Sequence, residues 1–243
     1  MKSYDAYLFD LYGTLIDIHT DEYSTAFWCK IRELFHSCGA EYDPKLLRNT
    51  YFNTISEQEK QKAEDGHLIE IEIGDVFQEL FNRKGISLNQ EQLPEIAWQF
   101  RQDSTSHLRL YAGTIGLLET LHSSGKQVYL LSNAQSLFTL PELKKTGLYD
   151  LFDDIIISSD ICYRKPDPVI FELLLKKHDL KAEDCLMIGN DLETDILGAN
   201  MMGMDSYYIR SALSGPETES EATPTYRQDH MDLRYLTHIL LKK

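Results

Sequence analysis

Short apolar runs that stop at polar residues alternate along much of this chain with stretches of helical periodicity. Tyr7-Leu8-Phe9 runs into Asp10 and then Gly13-Thr14, as a buried strand opening into a loop does. Val128 to Leu131 stops at Ser132-Asn133, Ile155 to Ile157 stops at Ser158-Ser159-Asp160, and Cys185 to Ile188 stops at Gly189-Asn190-Asp191. A further strand is expected near Ser206 to Ile209. Helices are predicted over Ile115 to Leu121, closed by Gly125, and over Leu137 to Lys145 with a break or fresh start at Pro141. Others are predicted over Val169 to His178, with Asp167 as N-cap and Pro168 at the first helical position, after Asp191 to about Met202, and over Leu233 to Leu241. Residues 212–225, rich in Ser, Thr, Pro and Glu, read as an irregular loop.

Apolar strands alternating with helices imply βαβ units and an α/β fold, a Rossmann-like parallel sheet covered by helices on both faces. From about residue 20 to 108 the pattern changes. Phe27, Ile31, Leu34 and Cys38 recur at helical spacing, as do Val76, Phe77, Leu80 and Phe81 before Gly85, and Ile96, Trp98 and Phe100 mark a further helix. The polar stretch Glu57 to Asp65 reads as a solvated helix face or a turn. This block has little β character and is expected to be wholly helical. The division is therefore residues 1–16 and 110–243 as an α/β core, with 17–109 as an inserted helical cap. Asp17, His19, Thr20 and Asp21 fall where its hinge belongs, and Phe27, Trp28 and Phe35 read as its core.

Composition narrows the functional classes. With 243 residues and 42% hydrophobic content, one sizeable core is affordable. With 24 Lys and Arg against 39 Asp and Glu, the formal charge is −15, which argues against non-specific nucleic-acid binding and against docking on an anionic membrane. No apolar run of about 20 residues offers a membrane span. The first residues lack the apolar stretch of a signal peptide, so a cytoplasmic location is expected. Cys29, Cys38, Cys162 and Cys185 form no CxxC pair and read as reduced thiols, and the eight histidines show no HExxH spacing. Nothing in the pattern fixes an oligomeric state.

Open parallel sheets bind ligands beyond the carboxyl ends of their strands. Here those ends collect Asp10, Ser132, the loop containing Lys165, and Asp191: a carboxylate, a hydroxyl, an ammonium and further acids. A carboxylate so placed can attack phosphorus or an activated carbon and form a covalent ester. Asp191 and Asp195, four residues apart, suit an oxygen-rich Mg²⁺ site. Ser132 and Asn133 can donate hydrogen bonds to a phosphoryl oxygen or a carboxylate.

Four segments carry a family resemblance: Phe9-Asp10-Leu11-Tyr12-Gly13-Thr14-Leu15, Leu131-Ser132-Asn133-Ala134, Arg164-Lys165-Pro166-Asp167-Pro168, and Gly189-Asn190-Asp191-Leu192-Glu193-Thr194-Asp195. In this order and spacing they resemble the haloacid dehalogenase superfamily of hydrolases, with a helical cap inserted after the first segment. The resemblance implies Asp10 as nucleophile, Lys165 as the cation that steadies it, and Ser132, Asn133 and Lys165 as substrate-binding groups. It implies Mg²⁺ held by Asp10, the backbone carbonyl of Tyr12 and Asp191, with Asp195 a further ligand or the group that orients Lys165. Asn190 stands where some relatives place the first acid, so Asn190 and Asp191 can exchange roles.

Position 12 departs from the phosphatase pattern. Phosphatases of this family carry there the acid that protonates the leaving group, and a phenol with pKa near 10 is a poor substitute. Asp-x-Tyr-Gly-Thr resembles the 2-haloacid dehalogenase branch instead, where halide leaves without a proton. The acidic fourth segment resembles a phosphatase. Losing a general acid costs about 10²–10⁴ in rate, and losing charge neutralisation is harder to survive for a dianionic substrate. The favoured expectation is a Mg²⁺-dependent phosphatase-like hydrolase of a small phosphorylated metabolite. A 2-haloacid dehalogenase is the first alternative, and a catalytically weak metal-binding regulatory protein the second.

Overall fold

The computed structural model describes residues 1–63, 65–215 and 220–241; Glu64 of the polar stretch and residues 216–219 of the expected loop lie outside them. The strands are β1 (Ala6–Phe9), β2 (Ile16–Thr20), β3 (Thr105–Leu110), β4 (Gln127–Ser132), β5 (Asp154–Ile157), β6 (Cys185–Gly189), β7 (Asp205–Ile209) and β8 (Tyr226–Gln228). The helices are α1 (Thr25–Ser37), α2 (Pro44–Lys62), α3 (Ile73–Asn82), α4 (Gln92–Ser104), α5 (Thr114–Ser123), α6 (Ser136–Thr146), α7 (Ser158–Ile161), α8 (Pro168–Lys177), α9 (Leu197–Met201) and α10 (Leu233–Leu241).

Six strands form one parallel sheet in the order β5-β4-β1-β6-β7-β8. Alternate residues of β1 serve opposite faces, as the two-residue period of a strand requires. Tyr7 and Phe9 pack with Leu117, Leu121, Leu233 and Leu236 of α5 and α10. Ala6 and Leu8 pack on the other face with Ile170, Phe171 and Leu174 of α8. Both faces are covered, which is why these strands read as continuous apolar runs.

The inserted segment builds a second apolar cluster from α1 to α4. Phe27, Trp28, Ile31 and Phe35 of α1 meet Tyr51, Phe77, Phe81 and Phe100 there, and Phe138 of α6 joins them from the sheet side. The ends of the insertion correct the wholly helical expectation. β2 and β3 pair as a two-stranded antiparallel ribbon that carries the chain into and out of the helices. Its outer face is polar: Arg109 donates to Asp17, with Nη2 to Oδ2 at 2.6 Å. A half-exposed polar ribbon lacks the apolar alternation that marks a core strand.

Two smaller differences have local causes. α6 runs unbroken through Pro141, giving up one backbone bond, because Phe138, Thr139, Glu142 and Leu143 on either side are buried and hold it. β8 adds an edge strand after the irregular segment, held by parallel pairing of Tyr226 to Gln228 with β7. Among the described residues no helix is long and apolar enough to cross a membrane.

Candidate active site

β1 lies between β4 and β6, with Phe9 level with Leu130 on one side and Ile188 on the other. The next residue, Asp10, is therefore presented at the centre of the sheet's carboxyl edge, and it is buried. Lys165 arrives from the loop between α7 and α8. Its ammonium donates to Asp10 Oδ1 at 2.9 Å, to Asp195 Oδ1 at 2.6 Å and to the Leu131 carbonyl at 2.7 Å. Three donors thus meet three acceptors, with the Lys165 side chain 1% exposed. Burial alone lowers an ammonium pKa, but here the Asp10 and Asp195 carboxylates outweigh it and hold Lys165 above its ordinary value. Asp195 is pushed upward, chiefly by burial, against the pull of Lys165.

Asn133 fixes the loop that delivers this lysine. Its Oδ1 accepts the Lys165 amide at 2.7 Å and its Nδ2 donates to the Lys165 carbonyl at 2.9 Å. The side chain expected to bind substrate is thus occupied in holding Lys165. Ser132 differs: it is fully buried, and its Oγ has no hydrogen-bond partner among the described residues. An orphaned buried hydroxyl costs stability unless a ligand satisfies it.

Of the two acids expected as metal ligands beside Asp10, Asp191 has one oxygen engaged and Asp195 has both. Asp191 Oδ1 accepts the Glu193 amide at 2.8 Å and the Thr194 amide at 3.1 Å, capping the helical turn Leu192–Ile196. Asp195 spends one oxygen on Lys165 and the other on the Asp191 amide at 3.0 Å. Gly189 makes room for this carboxylate, since a Cβ there would lie 2.1 Å from Asp195 Oδ2.

Asn190 is the side chain that comes down onto Asp10. One end of its amide lies 3.0 Å from the Tyr12 carbonyl, 3.2 Å from Asp10 Oδ2 and 3.1 Å from Thr14 Oγ1. With nitrogen at that end, it donates to these oxygens. With oxygen at that end, it stands beside the Asp10 carboxylate and the Tyr12 carbonyl as a group of oxygens that a cation would hold together. Octahedral Mg²⁺ at 2.0–2.1 Å sets neighbouring ligand oxygens about 3 Å apart, and both distances match. Carboxylate, carbonyl and amide oxygens are hard donors, so the residues present fit Mg²⁺ with Asn190 in the place expected of Asp191. Among the described residues no three His, Cys, Asp or Glu side chains converge on a metal position. Gly13 permits the arrangement: its φ is +88°, and a Cβ would stand 2.4 Å from the Asn190 amide. Thr14 of the first segment donates to Asp10 Oδ2 at 3.2 Å, and Ser214, which no spacing pointed to, donates from Oγ to the Asn190 carbonyl at 2.7 Å.

Tyr12 turns its hydroxyl to α6. It donates to Glu142 and lies 3.0 Å from Thr139 Oγ1. Glu142 also accepts from Arg101 Nε of α4 at 2.7 Å, and the guanidinium lies over the Tyr12 ring at 5.5 Å. Burial, and then the Glu142 charge, push the phenol well above its ordinary pKa. A cavity of about 290 Å³ opens here, lined by Tyr12, Asn133 and Thr139 from the sheet side and by Glu22, Tyr51 and Arg101 from the insertion. The insertion is also tied down at its other end: Asp167 Oδ2 accepts the Leu68 amide at 2.8 Å and lies 3.0 Å from His67 Nδ1.

Phosphoglycolate phosphatase of Vibrio cholerae is 31% identical over 166 residues, 65% of this chain and 72% of that enzyme. Two other curated phosphatases match over only 42% and 50% of their own lengths. The putative HAD-hydrolase YfnB of Bacillus subtilis is 25% identical over 242 residues, 99% of this chain and 97% of YfnB. Its structure, described as bound to magnesium, has a TM-score of 0.57 and covers 98% of this chain and 99% of that one. The 2-haloacid dehalogenase of Pseudomonas syringae shares the fold, with a TM-score of 0.67 at 16% identity over 97% of this chain and 98% of that one. The family model for haloacid dehalogenase-like hydrolases matches residues 4–203, and the chain belongs to that family.

Proposed function

We propose that this hydrolase is a Mg²⁺-dependent phosphatase of a small phosphorylated metabolite, acting through a phosphoryl ester on Asp10. The observation that carries this reading is the convergence of Asp10, the Tyr12 carbonyl and the Asn190 side-chain amide at the sheet edge, with Asp10 Oδ2 3.2 Å and the Tyr12 carbonyl 3.0 Å from one end of that amide, whose oxygen, turned inward, would complete a set of hard donors for Mg²⁺. Bound there, Mg²⁺ supplies the positive charge that lets an anionic carboxylate approach an anionic phosphoryl group.

The chain's own residues do the rest. Asp10 attacks phosphorus, with its Oδ1 held in place by the Lys165 ammonium. Lys165 acts as a fixed charge rather than a mobile donor, because its three hydrogens are all engaged. Ser132, buried without a partner among the described residues, donates its hydroxyl hydrogen to a phosphoryl oxygen. Asp195 and Asn133 orient Lys165 from its head and its backbone. The helical insertion serves as a cap that excludes water and encloses a leaving group of a few carbons. Tyr12 lends its carbonyl, while its hydroxyl is held on α6 by Glu142, the same carboxylate that ties Arg101 of the insertion to α6.

A second reading follows from Tyr12. A 2-haloacid dehalogenase needs no acid at that position, because halide leaves unprotonated. A substrate panel decides. Phosphate release that requires Mg²⁺ and vanishes in Asp10→Asn supports the phosphatase. Chloride release from 2-chloropropionate, insensitive to chelator, supports the dehalogenase. Mg²⁺ binding without turnover of either class supports a regulatory protein.

A further inference from the structure

With its hydroxyl held by Glu142 and Thr139, Tyr12 is unavailable to protonate a leaving group. The carboxyls around the site are mostly spent too. Glu142 bonds Arg101 and Tyr12, Asp195 bonds Lys165 and the Asp191 amide, and Glu70 bonds Gln135 and Ser158. Glu22 is the exception. It follows β2 at the base of the insertion and is the only carboxylic acid lining the 290 Å³ cavity beside Tyr12 and Asn133. Its Oε2 has one long contact, 3.4 Å from the Tyr51 hydroxyl, and its Oε1 has no hydrogen-bond partner among the described residues.

We propose that Glu22 is the proton donor and acceptor of the hydrolysis, supplied by the cap in place of the acid missing at position 12. The proposal rests on the phosphoryl-transfer reading above. As the bond from phosphorus to the ester oxygen breaks and the bond from Asp10 to phosphorus forms, the Glu22 carboxyl gives its proton to the departing alkoxide. The Glu22 carboxylate then takes a proton from the water whose oxygen attacks phosphorus, while the bond from phosphorus to Asp10 breaks. The sum is ester plus water giving alcohol plus phosphate, with both acids restored.

The surroundings suit that cycle. Burial pushes the Glu22 carboxyl up, against the pull of Arg101 from α4 and the Tyr51 hydroxyl from α2. A carboxyl raised in this way carries its proton closer to neutral pH, where a general acid is needed. Arg101, itself neutralised by Glu142, limits the rise.

First-turnover rates of wild type and Glu22→Gln on two esters test the assignment. An alkyl phosphate loses an alkoxide that needs a proton, whereas p-nitrophenyl phosphate loses a phenolate that does not. Glu22→Gln is expected to slow the alkyl ester about 10²–10⁴-fold and the aryl ester only a few-fold. Glu22→Asp, which keeps the carboxyl, is expected to recover part of the alkyl rate. Equal losses on both esters, or no loss on either, overturn the role of Glu22 while leaving the phosphatase reading intact. Wild-type protein that releases phosphate from neither ester overturns that reading, and the role of Glu22 with it.

Discussion

Lys165 and Asp195 form a buried ion pair, Nζ to Oδ1 at 2.6 Å, with both side chains 1% exposed. Lys165 reaches Asp10 only as the middle member of this row, with one ammonium between two carboxylates. Removing it leaves two buried acids facing each other. Lys165→Met is therefore expected to cost about 3–5 kcal/mol of stability as well as activity, measured by urea unfolding at neutral pH. A variant as stable as wild type would mean that the row does not exist.

In the proposed Mg²⁺ site, Asn190 in place of a carboxylate would leave one formal negative charge, on Asp10. Calcium and magnesium sites are tuned by the number of charged ligands, so Asn190→Asp is expected to tighten Mg²⁺ binding roughly tenfold, and Asn190→Ala to weaken it. Titration calorimetry reads both. Identical affinity in all three proteins contradicts the assignment of Asn190 as a ligand.

Gly13 bears two constraints at once, a positive φ and the Asn190 amide against its Cα. Gly13→Ala is expected to cost about 1–2 kcal/mol for the left-handed backbone and to weaken Mg²⁺ binding by displacing Asn190. A variant with lowered thermal stability but unchanged Mg²⁺ affinity shows that Asn190 does not form the site.

The tie between the helical insertion and the loop before α8 at Asp167 carries a pH dependence. Burial works against its charge, but the amides of Val169 and Leu68 and the His67 ring outweigh burial and hold its carboxyl below the ordinary range. A depressed acid stabilises the fold above its unfolded value near 4 and loses that contribution as pH falls through the folded value. The stability gap between wild type and Asp167→Asn is therefore expected to be full at neutral pH and to close on acidification. Urea midpoints across the acid range measure it, and a gap independent of pH contradicts the depressed value.

The positions of Asp10, Ser132 and Lys165 were legible because strand ends and a proline-marked helix start place them by backbone alone. Choosing between Asn190 and Asp191 was harder, since both follow β6. The structure has Asp191 capping the next helical turn with its Oδ1, and an acid just before a helix is itself a capping signal. The ribbon of β2 and β3 escaped notice because its polar residues, Asp17, His19, His107 and Arg109, satisfy one another across strands rather than facing a core. The cluster of Glu22, Arg101, Glu142 and Tyr12 was invisible in sequence. Its members lie far apart in the chain, and only packing of the insertion against α6 brings them together.

Mass spectrometry of acid-quenched protein gives the sharpest check on Asp10. Wild type mixed with an aryl phosphate and Mg²⁺ is predicted to carry one phosphoryl group on the peptide containing Asp10, and Asp10→Asn to carry none and to release no phosphate. Phosphate released at the wild-type rate by Asp10→Asn would contradict a covalent role for this carboxylate.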